Sequence, residues 1–271
     1  MKISYIKILL NLIQQKCSKF GRKQKYKNIH YLKQIIYVLN SGISWNYLKG
    51  KLHYTTYYKK FRKWSRQHIF EDAHKIMLNK IYDNKVDTNT LKDKLFFMDS
   101  SDIMNKNGFQ NIGRSYKYHF KNATRVNVLL DNNGIPLNLI IKSANTHDTK
   151  LTLETFDETS YKIIKNKIVI ADGGYLSKKN KTYLKNKKIQ FICPYKRKYK
   201  TKNNVTKRKT NTYYEKMLLK ERYVNETFFS WLKNNKRLMI RYDRLTETFS
   251  SFLYLKILQI MEKKIKLLEQ N

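Results

Sequence analysis

The chain has 271 residues, with 57 Lys and Arg against 20 Asp and Glu, a formal net charge of +37. Its length supports a sizeable core in one large domain or two smaller ones, and the charge creates a field for polyanions, nucleic acid above all. Its two cysteines, Cys17 and Cys193, form neither a disulfide framework nor a zinc ligand set. That usage fits a reducing compartment, and no stretch is long and apolar enough to span a membrane.

Residues 1–88 read as helical. "MKISYIKILLNLIQQK" is an amphipathic helix without an export role, because Lys7, Asn11 and two glutamines interrupt its apolar run. Ile29, Leu32, Ile36 and Leu39 then recur at helical steps, and Gly42 follows as a stop. A further unit sets Tyr57, Phe61 and Trp64 on one face, with Lys59, Lys60, Arg62 and Lys63 around the others. Such basic helices suit a DNA reader of helix-turn-helix type. A helical cap with a solvated lysine surface suits them equally.

From residue 92 the period changes. "KLFFMDSSDIM", "RVNVLLDNNG", "IPLNLIIKSA", "KIVIADGGY" and "IQFICPYK" are short apolar runs closed by turn residues, as strands are. Asp131-Asn132-Asn133-Gly134 is a hairpin signal, so the first three strands should form an antiparallel meander. Helical stretches at 148–166 and 176–187 precede the last two, which calls for parallel pairing. A basic loop, "YKRKYKTKNNVTKRKTN", leads to helical stretches at 213–241 and 246–268. The predicted fold is α/β, a mixed five-stranded sheet in the order β-β-β-α-β-α-β-α, which is that of a ribonuclease H-like domain over 92–271.

Acidic residues fall where this sheet would build a site. Strand alternation puts Asp99 on the face of Leu95 and Phe97, and Asp172 on the face of Ile168 and Ile170, each at the C-terminal end of its apolar run. Adjacent carboxylates repel, and a divalent cation relieves that by binding both. Gly173 and Gly174 would let the backbone turn away without crowding the ion. Further on, Arg222, Glu226 and Lys233 share a polar helical stripe, opposite an apolar stripe of Val224, Phe228, Trp231 and Leu232. Glu226 could then close an Asp-Asp-Glu cage. Oxygen donors alone favour Mg²⁺ or Mn²⁺, and two such ions can drive in-line phosphodiester chemistry. Singly, Asp99 could be a turn residue, Asp172 an N-cap, and Glu226 a surface partner of Arg222. Taken together in so basic a chain, the metal reading is preferred. Asp148, by contrast, reads as the cap of the next helix before it reads as a metal ligand.

Almost end to end, the chain resembles the DDE transposases of bacterial insertion sequences, the group with an Arg-x3-Glu-x6-Lys signature. Here the signature spans Arg222, Glu226 and Lys233, and "MDSS", "GRSYKYHFKNATRVNVLLDNNGIPLNLIIKSANTHD", "IADGGY" and "SGISWNYL" are similar to the group's other blocks, as is the Arg-Tyr-Asp ending of "KNNKRLMIRYDRL". One departure is Leu219, where a tyrosine is often found. The resemblance implies strand cleavage and transfer at terminal inverted repeats, with Asp99, Asp172 and Glu226 as the metal-binding triad and with DNA contacts from Arg222, Lys233, Lys236, Arg237 and Arg241. It also implies double-stranded DNA as partner, a homodimer assembled on DNA, no membrane, and a cytoplasmic, nucleoid-associated place in a bacterium, or a nucleus or viral factory in a eukaryotic host. A retired DNA-binding derivative and another ribonuclease H-like nuclease, such as a junction resolvase, are the alternatives.

Overall fold

The computed structural model describes residues 4–16, 24–83, 90–195 and 210–268. Cys17 and most of the basic loop before residue 210 lie outside them. Among the described residues, four α-helices come first: α1 (Tyr5–Gln15), α2 (Asn28–Ser41), α3 (Tyr54–Arg66) and α4 (Ile69–Asp83). As the spacing predicts, Leu32 and Leu39 are buried on α2, and Tyr57, Phe61 and Trp64 on α3. Gly42 ends α2 at φ +72, its N–H donating to the Val38 carbonyl at 3.0 Å, a left-handed cap that glycine adopts without Cβ strain.

The sheet comprises β1 (Leu95–Asn105), β2 (Gly113–Ser115), β3 (Lys121–Asp131), β4 (Pro136–Ser143), β5 (Ile168–Ala171), β6 (Gln190–Ile192) and β7 (Ile240–Arg241). Its five main strands run β4-β3-β1-β5-β6, with β1, β3 and β4 antiparallel and β5 and β6 parallel to β1. This is the expected meander followed by two crossovers, through α5 (Asp148–Glu154) and α6 (Glu158–Ile164) and then α7 (Lys178–Asn186). The meander turns at Asp131, whose Oδ1 accepts from the N–H groups of Asn133 and Ile135, with Gly134 at φ +73. Short β2 and β7 extend the sheet to seven strands beside the ends of β3 and β1. Neither has an apolar run long enough to signal a strand.

The helical stretch predicted over 213–241 is broken. It comprises α8 (Tyr213–Lys220), α9 (Tyr223–Lys233), α10 (Lys236–Met239) and then β7, before α11 (Thr246–Leu268). Among the described residues, an apolar cluster runs across the expected 88/92 division, joining Leu9, Leu39 and Phe61 to Val128, Phe252 and Met261. Phe61 stacks on Phe252 of α11 with centroids 4.3 Å apart, and α4 packs on both α1 and α11.

Polar ties also cross this core. His74 on α4 is buried, with Nε2 2.8 Å from the Pro136 carbonyl of β4. Burial holds the imidazole below its ordinary 6.5, so the folded chain keeps it neutral while the unfolded chain takes up a proton as pH falls through about 6.5. Its share of stability is therefore complete above that pH and lost below it. We expect the urea midpoint to drop more steeply on going from about pH 7 to pH 5 in the native protein than in His74→Gln; parallel curves would refute this.

Candidate active site

Asp99 and Asp172 come together through strand register. The parallel pairing of β1 with β5 aligns Met98 with Ala171, so Asp99 and Asp172 are the next positions on neighbouring strands. β5 ends there, as the sequence predicts, but β1 continues to Asn105, and Asp99 sits mid-strand where its parallel neighbour gives out. Burial raises the pKa of Asp99, and the charge of Asp172 adds to the rise; the Ser100 N–H, at 2.8 Å from Oδ1, and the charges of Arg222 and Lys117 oppose it. The carboxylate is thus held against its own solvation, the condition that a bound cation relieves.

Arg222 meets the second acid. It stands at the N-cap position of α9 without capping the helix, and Nη1 donates to Asp172 Oδ1 at 3.0 Å. Glu226 lies in the first turn of α9 and is exposed. Among the described residues, no three His, Cys, Asp or Glu side chains gather closely enough to hold a metal ion. The two aspartates offer hard oxygen donors that fit a divalent cation in kind, but Glu226 does not complete a cage with them. Nε of Arg222 and both ends of the Asn225 amide are buried without a hydrogen-bond partner, so this helix start carries polar groups that the fold leaves unspent.

The apolar stripe of α9 is as predicted: Val224, Phe228 and Leu232 are buried, and the helix packs on β1 and α11. Trp231 is partly buried, with Lys263 Nζ 4.5 Å from its ring centroid. Lys233 reaches back to the Asp102 carbonyl, Nζ to O 3.1 Å, and burial lowers its pKa. Lys236 is exposed. Arg237 and Arg241 are not where a DNA contact needs them. Arg237 is buried against Asp243, at 2.8 and 3.2 Å. Arg241 is 0% exposed, and its guanidinium donates to the carbonyls of Asp243, Gln110 and Arg244 and to the hydroxyls of Thr124 and Thr246. These side chains turn inward because acceptors surround them, Asp243 and Thr246 from the same stretch of chain and Ile43, Gln110 and Thr124 from distant segments.

A network that no motif of the sequence announces lies on the sheet face opposite Asp99. Register pairs Asp102 with Arg125 and Ser100 with Asn127. Arg125 donates to Asp102 at 2.8 Å and, through Nη1, to Asp148 at 3.0 Å and the Thr146 carbonyl at 2.8 Å. Ser100 donates to Asp148 Oδ1 at 3.2 Å, and Tyr175 donates to the Asn127 side chain. Removing one member of such a buried charged set costs about 3–5 kcal/mol, so the network braces β1 directly beneath the acids. An arginine opening the apolar run "RVNVLLD" was the available signal, since a half-buried guanidinium requires an acid partner.

Two expectations change here. His147, not Asp148, caps α5: its Nδ1 accepts from the Thr149 N–H at 3.2 Å, which frees the Asp148 carboxylate for Arg125. Gly174 serves close approach, because a Cβ there would lie 2.6 Å from Asp148 Oδ2; neither it nor Gly173 has a positive φ.

A family model for the transposase DDE domain matches residues 90–258, which span Asp99, Asp172 and Glu226. The chain belongs to the DDE transposase domain family. The family implies dependence on a divalent metal in general and action on DNA. A second model, described as "Putative transposase of IS4/5 family", matches residues 5–74. A curated relative from Burkholderia cepacia, "Putative transposase for insertion sequence element IS402", is 26% identical over 140 residues, 49% of this chain and 60% of its own length. A chain from the crystal structure of a pre-cleavage Mos1 transpososome aligns over 92% of this DDE family member and 80% of itself, at 8% identity and a TM-score of 0.35. The ribonuclease H-like assignment therefore rests on strand order.

Proposed function

We propose that this protein cuts and rejoins DNA at the terminal repeats of a mobile element, using Asp99, Asp172 and Glu226 as its acids and Mg²⁺ or Mn²⁺, as two ions, for its cofactor. The observation that carries the reading is the adjacency of Asp99 and Asp172 at the end of β5, with Asp99 kept from easy ionisation by burial and by its neighbour. When bound, divalent cations supply Lewis-acid polarisation of the phosphodiester and a lowered pKa for the attacking water or 3′-hydroxyl. The aspartates would hold them from a rigid sheet, braced by Arg125, and Glu226, which stands apart from them here, would have to move in from the start of α9 to add a third oxygen donor. Arg222 orients Asp172. Lys233 and Lys236 would contact phosphates, and the outer face of α3, with Lys59, Lys63 and Arg66 exposed, suits duplex backbone. The formal charge of +37 draws DNA in. A homodimer would hold the two element ends, at the bacterial nucleoid.

The test uses the full chain, a donor plasmid carrying the gene with its flanking DNA, and a target plasmid. Mg²⁺-dependent nicking at the element boundaries, followed by joined products, supports the proposal. Salt-sensitive duplex binding without nicking would favour a retired DNA-binding protein. Nicking at branched DNA irrespective of the boundaries would favour a junction nuclease.

A further inference from the structure

Between β2 and β3 the chain makes a hump that the acidic site does not use. Residues 116–118 form one 3₁₀ turn, and His119 and Phe120 follow at φ 49 and 60. Bulky side chains enter that left-handed region only at a cost in free energy. Yet the strain buries nothing. Tyr116 is 83% exposed and Phe120 60%, their rings edge to face with centroids 5.6 Å apart. Arg114, Lys117 and Lys121 are exposed around them.

The hump is anchored to β1 at Asp102, three residues beyond Asp99 and on the opposite face of that strand. The Phe120 N–H donates to the Ser115 carbonyl at 2.8 Å, and buried Ser115 donates to Asp102 Oδ2 at 2.5 Å. Tyr118 and Lys233 both donate to the Asp102 carbonyl, at 3.2 and 3.1 Å. Lys117 lies near enough for its charge to act on both Asp99 and Lys233. Two presented rings, ringed by cations and fixed next to a phosphodiester site, match the chemistry that binds unpaired nucleobases: a π-face for the base and positive charge for its backbone.

We propose that Tyr116 and Phe120 form a stacking platform for an unpaired nucleobase of the DNA end being processed, an inference that rests on the transposase reading. The platform selects frayed or single-stranded ends, tolerates any base, and holds the strand against the acids.

The experiment compares a short blunt duplex of arbitrary sequence with the same duplex bearing a single-stranded thymidine tail that contains one 2-aminopurine, in EDTA. The native chain should bind the tailed DNA about 5- to 100-fold more tightly, with quenched 2-aminopurine fluorescence. Tyr116→Ala/Phe120→Ala should bind the blunt duplex like the native chain, without the preference or the quenching. Phe120→Gly, which relieves the backbone strain, controls for folding: it should melt no lower than the native chain and lose most of the preference. Equal native affinity for the two DNAs, or variants that keep the preference, would overturn the proposal. So would an equal fall in affinity for both DNAs, because the rings would then be a duplex contact. If the native chain binds neither DNA, the transposase reading itself fails, and this proposal fails with it.

Discussion

Asp99→Asn and Asp172→Asn are each expected to lower metal-dependent DNA cleavage by at least ~10³-fold, because the several kcal/mol of charge stabilisation that a cation contributes disappears with its oxygen donors. Binding of duplex DNA should stay level or tighten, since each change removes negative charge that faces the phosphates. The two variants should differ in stability. Asp99→Asn would retain an acceptor for the Ser100 N–H while removing a carboxylate whose pKa burial raises, so its melting midpoint at neutral pH should rise. A raised folded pKa means that ionisation costs stability as pH climbs through it, and the amide has no such step. At Asp172 the ion pair with Arg222 is lost, and it is half-exposed, so little change is expected. Gel-shift and nicking assays with thermal melts in parallel decide the matter. Weaker binding with cleavage retained would refute the roles given to both acids.

Arg241→Met is expected to destabilise the fold by about 3–5 kcal/mol, and any loss of DNA binding should track the unfolded fraction. The guanidinium joins β7 to Thr124 of β3, to Gln110 and to the start of α11, and it lies over the Phe249 ring at 4.9 Å. Methionine fills the space but leaves these buried acceptors unsatisfied, and losing several such bonds approaches the cost of breaking a buried charged set. Burial lowers the pKa of Arg241 to about 10, so it remains charged at neutral pH. Arg241→Lys should not rescue stability, because one ammonium cannot span acceptors that a planar fork reaches. Lys236→Ala offers the contrast: unchanged urea midpoint, weaker DNA binding, and a salt slope smaller by about one. If Arg241→Met folded normally and bound DNA less tightly, the arginine would be a DNA contact after all.

Much of the sheet was legible because its signals are local. The Asp131–Gly134 turn, the apolar run ending at Asp172 and the glycine stop at Gly42 each depend on neighbours within a few residues, where backbone preference decides. The break of 213–241 was less legible: α9 keeps the helical period, but the chain leaves it to lay Ile240 and Arg241 beside Met104 and Asn105 of β1, a long-range pairing that no local pattern announces. His147 took the capping position from Asp148 for a similar reason, since Arg125 on β3 claims that carboxylate.

The order and kind of residues determined by themselves that this chain would attract polyanions, build a mixed sheet and end β5 on a carboxylate, because charge, side-chain period and turn chemistry act over short separations along the chain. Tertiary structure alone decided which charges face outward. Asp99 and Asp172 meet through parallel register, Arg222 takes the second of them, and Arg237 and Arg241 turn into the core. The physical reason is that a buried charge is tolerable only where partners converge on it, and here Asp243 close by in sequence is joined by acceptors from distant segments, Ile43 for Arg237 and Gln110 and Thr124 for Arg241.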